Sequence, residues 1–200
     1  LYTLLFLPVR FVDLYKVYEE IFGRIPLSLV KYPWFLGNIS STSPRVTYDF
    51  LKRVTDIVAA FVLGLLSLLL YPFVYAAIKL DDHGPLFVFQ ERVGQNNRII
   101  RTIKFRTMSR DDAGRVHLQQ GNKVTRAGAF LRKTRIDELP QLLNVFRGEM
   151  SLIGPRPELP SLVAVYEREV PYYRTRHLIK PGLSGWAQIY HENHPHHAAD

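Results

Sequence analysis

Cysteine is absent from this 200-residue sequence, which excludes disulfides and thiolate metal sites and leaves the redox compartment unmarked. A glycine-rich phosphate loop and a strand–GxGxxG–helix pattern are absent too, so the Rossmann and P-loop ways of gripping a nucleotide are not available. There is no internal repeat, which removes solenoids and propellers. Acidic residues are in deficit, 18 against 26 lysines and arginines, giving a formal net charge of +8. That excess asks for an anionic partner: nucleic acid, acidic lipid or a phosphorylated substrate.

Charge itself is missing from Ile57 to Ile78. At about 1.5 Å per residue such a helix measures roughly 33 Å, enough for a hydrocarbon core of about 30 Å. The segment is too far from the N-terminus, and lacks the small-residue cleavage site, to be a secretory signal. A single spanning helix is the plain reading, and two features oppose it. Pro72 removes a backbone donor and its ring clashes with the Leu68 carbonyl, which kinks or breaks the helix. Basic residues also flank both ends, Lys52 and Arg53 before, Lys79, Arg92 and Arg98 after. If positive charge stays cytoplasmic, both flanks prefer one side, so the segment is expected to enter, bend at Tyr71-Pro72 and leave by the same face. Ser67 is placed to bond a backbone carbonyl near the bend.

Before the apolar run, Phe11, Leu14, Tyr15, Tyr18 and Phe22 keep a helical period that stops at Gly23, and residues 40–44 read as a linker. After it, residues 85–92 and 98–104 read as two strands joined by a hairpin connection at 94–97. Residues 125–133, 139–146 and 159–169 read as short helices, with another turn of helix at 172–178. The chain begins at Leu1 and ends in a histidine-rich run, and it reads as an excerpt of a longer protein. The expected organisation is 1–44 as the tail of an upstream domain with its linker, 45–80 as the re-entrant membrane helix, 81–190 as the catalytic domain and 191–200 as a truncated tail. The expected fold class is α/β, mostly helical and irregular with a small β-hairpin, in a compact cytoplasmic unit close to the membrane.

Asp137 and Glu138 fall where a helix should begin. Thr134 followed by Asp137 matches a capping box, acidic residues suit a first helical turn, and Pro140 fits there because the first amides have no intrahelical partner. A chemical role gains weight from the neighbours. Arg126, Arg132, Lys133 and Arg135 precede the pair, and Arg156 is bracketed by Pro155 and Pro157, so it loses little freedom on binding a diphosphate bidentately. An aspartate is ionised at neutral pH and can attack phosphorus without a general base. Adjacent helical residues point about 100° apart, so the two carboxylates would divide the work: one attacks while the other holds Mg²⁺.

The run from about Phe50 to Gln188 resembles the bacterial sugar transferases, the monotopic polyprenol-phosphate phosphoglycosyl transferases. The resemblance lies in Lys52, Arg53 and Asp56 before the apolar run, then Gly84-Pro85 and Phe89-Gln90-Glu91-Arg92-Val93-Gly94. It continues in Lys104-Phe105-Arg106-Thr107-Met108, Leu131-Arg132-Lys133-Thr134 and Asp137-Glu138-Leu139-Pro140-Gln141. Gly154-Pro155-Arg156-Pro157, Lys180-Pro181-Gly182 and Trp186-Ala187-Gln188 complete it. It implies a re-entrant helix, a catalytic face toward the cytoplasm at the bacterial inner membrane, and an Asp–Glu dyad. Asp137 would attack the β-phosphate of a UDP-sugar, releasing UMP, and undecaprenyl phosphate would then take the phosphosugar. This is the first membrane step of exopolysaccharide, capsule or O-antigen synthesis. Glu138 with Asp137 would hold Mg²⁺, and Arg132, Arg156, Lys104 and Arg106 would bind phosphates. The partners implied are the UDP-sugar, the polyprenol phosphate and membrane lipid, without nucleic acid; a homo-oligomer stays open. Residues 1–37 resemble the end of the upstream region of longer members. Where the family commonly has Ser-Pro at the helix break, this chain has Tyr71-Pro72.

The alternative is a non-catalytic membrane scaffold of a polysaccharide assembly complex, against which the intact Asp137–Glu138 pair speaks. A nucleic-acid module would place arginines along one helix face among aromatics, and here they sit beside Gly/Pro turns and an acidic pair. His191, His194, His196 and His197 read as a mobile tail rather than a metal site, and Trp186 as a packing or interfacial residue.

Overall fold

The structure, a computed structural model, describes residues 12–23, 46–109, 124–185 and 188–189; residues 40–44, Trp186 and the four histidines of the tail lie outside these. The chain divides into two units, Leu1–Val46 and Thr47–Asp200. In the first, α1 (Leu14–Phe22) follows Asp13 and ends at Gly23, whose left-handed φ of 62° lets its N–H reach the Glu19 carbonyl.

The apolar run becomes α2 (Val46–Ser67), a 3₁₀ turn (Leu68–Leu70) and α3 (Tyr71–Asp82). The break falls where Pro72 demands it. A proline ring cannot share an α-turn with the Leu68 carbonyl, so the ladder tightens just before it and Pro72 takes a first-turn position of α3. Ser67 Oγ donates to the Gly64 carbonyl at 2.7 Å, in the last turn of α2 just before the break. By length and composition, Val46–Asp81 could cross a membrane. Its buried residues are Asp56, Ala60, Ser67, Val74 and Ile78, while Phe61, Leu65, Leu69 and Phe73 stand exposed.

β1 (Phe87–Val93) and β2 (Ile99–Phe105) form the expected antiparallel hairpin, in register from Phe87 opposite Phe105 to Val93 opposite Ile99. Then come α4 (Arg126–Lys133), a 3₁₀ segment (Ile136–Gln141), α5 (Leu142–Arg147), β3 (Ser151–Ile153), α6 (Pro160–Glu169), a second 3₁₀ segment (Tyr173–Leu178) and β4 (Gly182–Ser184). The architecture is mostly helical with a small hairpin, as expected. The parallel pairing of β3 with β4 was not expected.

Among the described residues the core has two apolar clusters, and the long helix enters both. Ala60 of α2 packs with Leu142, Val145 and Met150. Val74 and Ile78 of α3 pack with Phe105 and Leu131, and the Tyr71 ring stands edge-on to Phe105 at 4.8 Å between centroids. Polar contacts extend this in both directions. Near the start of α2, Asp56 accepts from Lys52 Nζ (2.5 Å), Ser151 Oγ (2.8 Å) and the Leu152 amide (3.2 Å). Arg53 donates to the Val145 and Phe146 carbonyls. At the end of α3, Asp81 accepts from the Ala127 amide at 2.8 Å. Both flanks of the apolar segment therefore rest on one polar unit.

One local expectation is corrected. The capping box at Thr134 does not form, because Thr134 Oγ1 turns back to the Phe130 and Leu131 carbonyls and closes α4 instead. Arg135 then takes a left-handed φ of 59° and no side chain caps the next segment. The acidic pair starts a 6-residue 3₁₀ segment rather than an α-helix. No long helix N-terminus stands behind Asp137 to attract a phosphate.

Candidate active site

The 3₁₀ segment that carries the acidic pair is held over strand β2 by the next helix, α5. Asn144, fully buried in α5, donates through Nδ2 to the Arg101 carbonyl (2.8 Å) and accepts through Oδ1 from the Ile103 amide (3.3 Å). This amide fastens α5 along the free side of β2 and sets Glu138 against Lys104. Lys104 Nζ donates to Glu138 Oε1 at 2.7 Å, across 34 residues of sequence. Arg156 Nη2 lies 3.7 Å from the same oxygen, and Arg135 Nη1 lies 4.0 Å from Oε2.

Asp137 and Glu138 are both buried, yet their environments differ. Burial would raise Glu138, but Lys104 and then Arg156 outweigh it and hold its carboxyl below the ordinary glutamate value. Burial raises Asp137, and the adjacent Glu138 charge adds to this; Lys104, Arg132 and Arg135 offset only part. Lys104 also sits below its ordinary value, because burial disfavours its ammonium more than Glu138 supports it. The short contact joins the two groups in one buried, charge-assisted pair. Asp137 Oδ1 is buried and has no hydrogen-bond partner. One carboxylate is neutralised and fixed, while the other keeps an unshared oxygen.

Arg132, an exposed residue, donates through Nε to Thr107 Oγ1 at 2.9 Å, which ties it to the end of the β2 segment. Arg106 is buried and gives Nε to the Met108 carbonyl (2.8 Å) and Nη2 to that of Ser109, closing the turn after β2. The loop carrying Arg156 is pinned carbonyl by carbonyl. Gly182 N–H reaches Pro155 O (2.8 Å), Arg176 Nη2 reaches Arg156 O (2.9 Å), and the Val93 amide reaches Glu158 O (2.9 Å). Gly154 and Gly182 allow the β3–β4 approach, since a Cβ on Gly182 would meet the Gly154 backbone.

The structure thus brings Asp137, Glu138, Lys104, Arg132 and Arg156 into one neighbourhood and gives Arg106 to the adjoining turn. Tyr71 and Pro72 lie at the helix break, with Tyr71 against the strand that carries Lys104. Asn144 and Arg176 were not singled out in the sequence. Gln141 entered there only as the last residue of the run from Asp137, with no role of its own.

Among the described residues no three His, Cys, Asp or Glu side chains gather as a metal cage. Magnesium is usually held by one or two carboxylates together with substrate phosphates. Asp137 with its orphaned oxygen and Glu138 beside it meet that requirement.

The model of the family described as bacterial sugar transferase matches residues 47–199. A UDP-N-acetylgalactosamine-undecaprenyl-phosphate N-acetylgalactosaminephosphotransferase of Aeromonas hydrophila is 41% identical over 179 residues, covering 88% of this chain and 41% of that protein. A UDP-glucose:undecaprenyl-phosphate glucose-1-phosphate transferase of Caulobacter vibrioides is 45% identical over 149 residues, 73% of this chain and 56% of that protein. A protein of the same name in Escherichia coli is 40% identical over 142 residues, 70% of this chain and 31% of its own length. The chain spans between about a third and a little over half of the length of these relatives.

Proposed function

This chain belongs to the bacterial sugar transferase family, and we propose that it carries the catalytic unit of a phosphoglycosyl transferase acting on a UDP-sugar and undecaprenyl phosphate. The observation that carries this reading is the buried, unshared oxygen of Asp137 beside a glutamate already neutralised by Lys104. Buried carboxylate oxygens ordinarily find a hydrogen-bond partner, and this one has none within the protein.

Asp137 attacks the sugar-bearing phosphorus of the donor. The bond from that phosphorus to the bridging oxygen breaks and UMP leaves with the electron pair, giving an aspartyl phosphosugar. An oxygen of undecaprenyl phosphate then attacks the same phosphorus, the acyl–phosphate bond breaks, and the Asp137 carboxylate is restored with the lipid diphosphosugar as product. Lys104 holds Glu138 in place, and Arg132 and Arg156 supply positive charge for the diphosphate. Magnesium, held by Asp137 and Glu138 when bound, would neutralise diphosphate charge. The relatives' names, which pair undecaprenyl phosphate with UDP-N-acetylgalactosamine or UDP-glucose, support these substrates. The test is UMP release by the full-length protein across a panel of UDP-sugars with undecaprenyl phosphate; inertness toward every donor would sink the reading.

Arg156→Ala should weaken the donor complex by the worth of one or two charge-assisted hydrogen bonds, about 1.5–3 kcal/mol each. Arg156→Lys can keep an ion pair with Glu138 but not the planar fork, so it should be impaired as well. Near-normal KM and kcat for UMP release in both variants would remove Arg156 from the site.

The apolar segment is proposed to re-enter, with the catalytic unit on the cytoplasmic face of the inner membrane. Support comes from the contacts of both its flanks with the same polar unit, at Asp56 and at Asp81, while Phe61, Leu65, Leu69 and Phe73 protrude. Single cysteines at the exposed positions Tyr48 and His83 of the full-length protein should both be labelled from the cytoplasmic side. Labelling from opposite sides means that the segment spans.

A further inference from the structure

Several buried polar atoms at the site have no hydrogen-bond partner, and two of the side chains that carry them, Gln141 and Gln188, have no part in the chemistry above. Gln141 is only 3% exposed, and its side-chain Nε2 has no hydrogen-bond partner. Arg156 Nε and both amide atoms of Gln188 are likewise buried and unpaired. These groups come from three separate pieces of chain. Gln141 lies three residues after Glu138, and in a 3₁₀ segment such residues leave the same face. Arg156 follows β3, and Gln188 follows β4. All three line one cavity of about 10 Å³ whose wall also includes Glu138 and Lys104.

A space of that size holds a single oxygen-sized group. Unpaired N–H donors gathered in a buried space persist where a ligand completes them. The donors outnumber the one unpaired acceptor, Gln188 Oε1, so the missing group is an oxygen that accepts several hydrogen bonds. A sugar ring is too large for it. The nearby Glu138 carboxylate does not repel an anionic oxygen outright, because Lys104 at 2.7 Å and Arg156 at 3.7 Å already cover its Oε1.

We propose that Gln141, Gln188 and Arg156 Nε form a recess for one non-bridging phosphoryl oxygen of the nucleotide-sugar donor, which makes the two glutamines substrate-contacting residues. This rests on the transferase reading. Neutral amides fixed by burial are already oriented when charge develops on the phosphoryl group, so they favour the transition state without binding the departing UMP by charge.

The test uses the full-length protein and whichever UDP-sugar supports UMP release. Gln141→Met and Gln188→Met keep side-chain length and remove the amide; Gln141→Glu keeps the shape and replaces a donor by an acceptor. Loss of one preorganised donor should lower kcat about 10²-fold, with the melting temperature little changed and Gln141→Glu the most affected. A purely structural role would instead lower the melting temperature and leave kcat per folded molecule unaltered. Wild-type inertness toward every UDP-sugar sinks this proposal together with the transferase reading. An active wild type whose Met variants keep normal kcat and KM overturns the recess alone. If the variants do not fold, a crystal structure of the wild-type protein with UDP decides. A phosphoryl oxygen within hydrogen-bonding reach of Gln141 Nε2 is expected, and an ordered water there with the diphosphate elsewhere would refute it.

Discussion

Asp137→Asn should abolish UMP release, by on the order of 10⁴-fold or more as for other lost nucleophiles, while raising rather than lowering the melting temperature. The two halves of this expectation have one cause. Burial and the neighbouring Glu138 push the Asp137 carboxyl above its ordinary value of 3.8. The folded protein therefore holds that proton more tightly than the unfolded chain. Below 3.8 both states are protonated and nothing is lost. As the pH rises through the raised folded value the penalty develops in full, so above that value the ionised carboxylate costs stability. Asparagine has nearly the same shape and carries no charge, which removes that cost together with the nucleophile. Mass spectrometry of the wild type after incubation with its UDP-sugar, without lipid acceptor, should show a phosphosugar on Asp137. Full transfer by Asp137→Asn, or an adduct on another residue, would favour direct attack by the lipid phosphate.

Glu138→Gln should fail in the opposite way, losing both activity and stability. Here the folded carboxyl lies below its ordinary 4.5, since Lys104 and Arg156 outweigh burial. Its contribution is present above 4.5 and is lost as the pH falls through the lowered folded value. Replacing Glu138 by Gln leaves a buried ammonium facing a neutral amide, and breaking a buried pair from one side typically costs about 3–5 kcal/mol. The double variant Glu138→Gln, Lys104→Met should recover much of that stability, because neither charge then remains unpaired, but should stay inactive. Denaturant melts of the four proteins in a double-mutant cycle measure the coupling directly. Equal losses in single and double variants would mean that the Lys104 contact contributes little. Opposite stability effects from two adjacent carboxylates would separate the reacting group from the supporting one.

Much of the fold was legible because its signals are local. The uncharged run, Pro72 within it, the hairpin between residues 85 and 105 and the short helix at 125–133 are written in stretches of local sequence. Each lies close to where it was expected. Parallel strands β3 and β4 were missed because strands of 3 residues are too short for alternation to register. The capping box at Thr134 failed for a related reason. The same hydroxyl can close the preceding helix, and the left-handed turn at Arg135 gave it that use.

By itself, the sequence determined the chemical types at the site and their order: an ionisable pair, a set of cations and an arginine between prolines, downstream of a broken apolar helix. Which cation meets which carboxylate was decided only by tertiary structure. Lys104 reaches Glu138 across 34 residues, and Asp56 of the apolar helix reaches Ser151 across 95, because Asn144 and the two apolar clusters bring those segments together. That placement gave Glu138 its partners and left Asp137 Oδ1 with none. Adjacent in sequence and alike in composition, the two carboxylates differ because electrostatic work depends on distance and desolvation, and neither is encoded in the order of the residues.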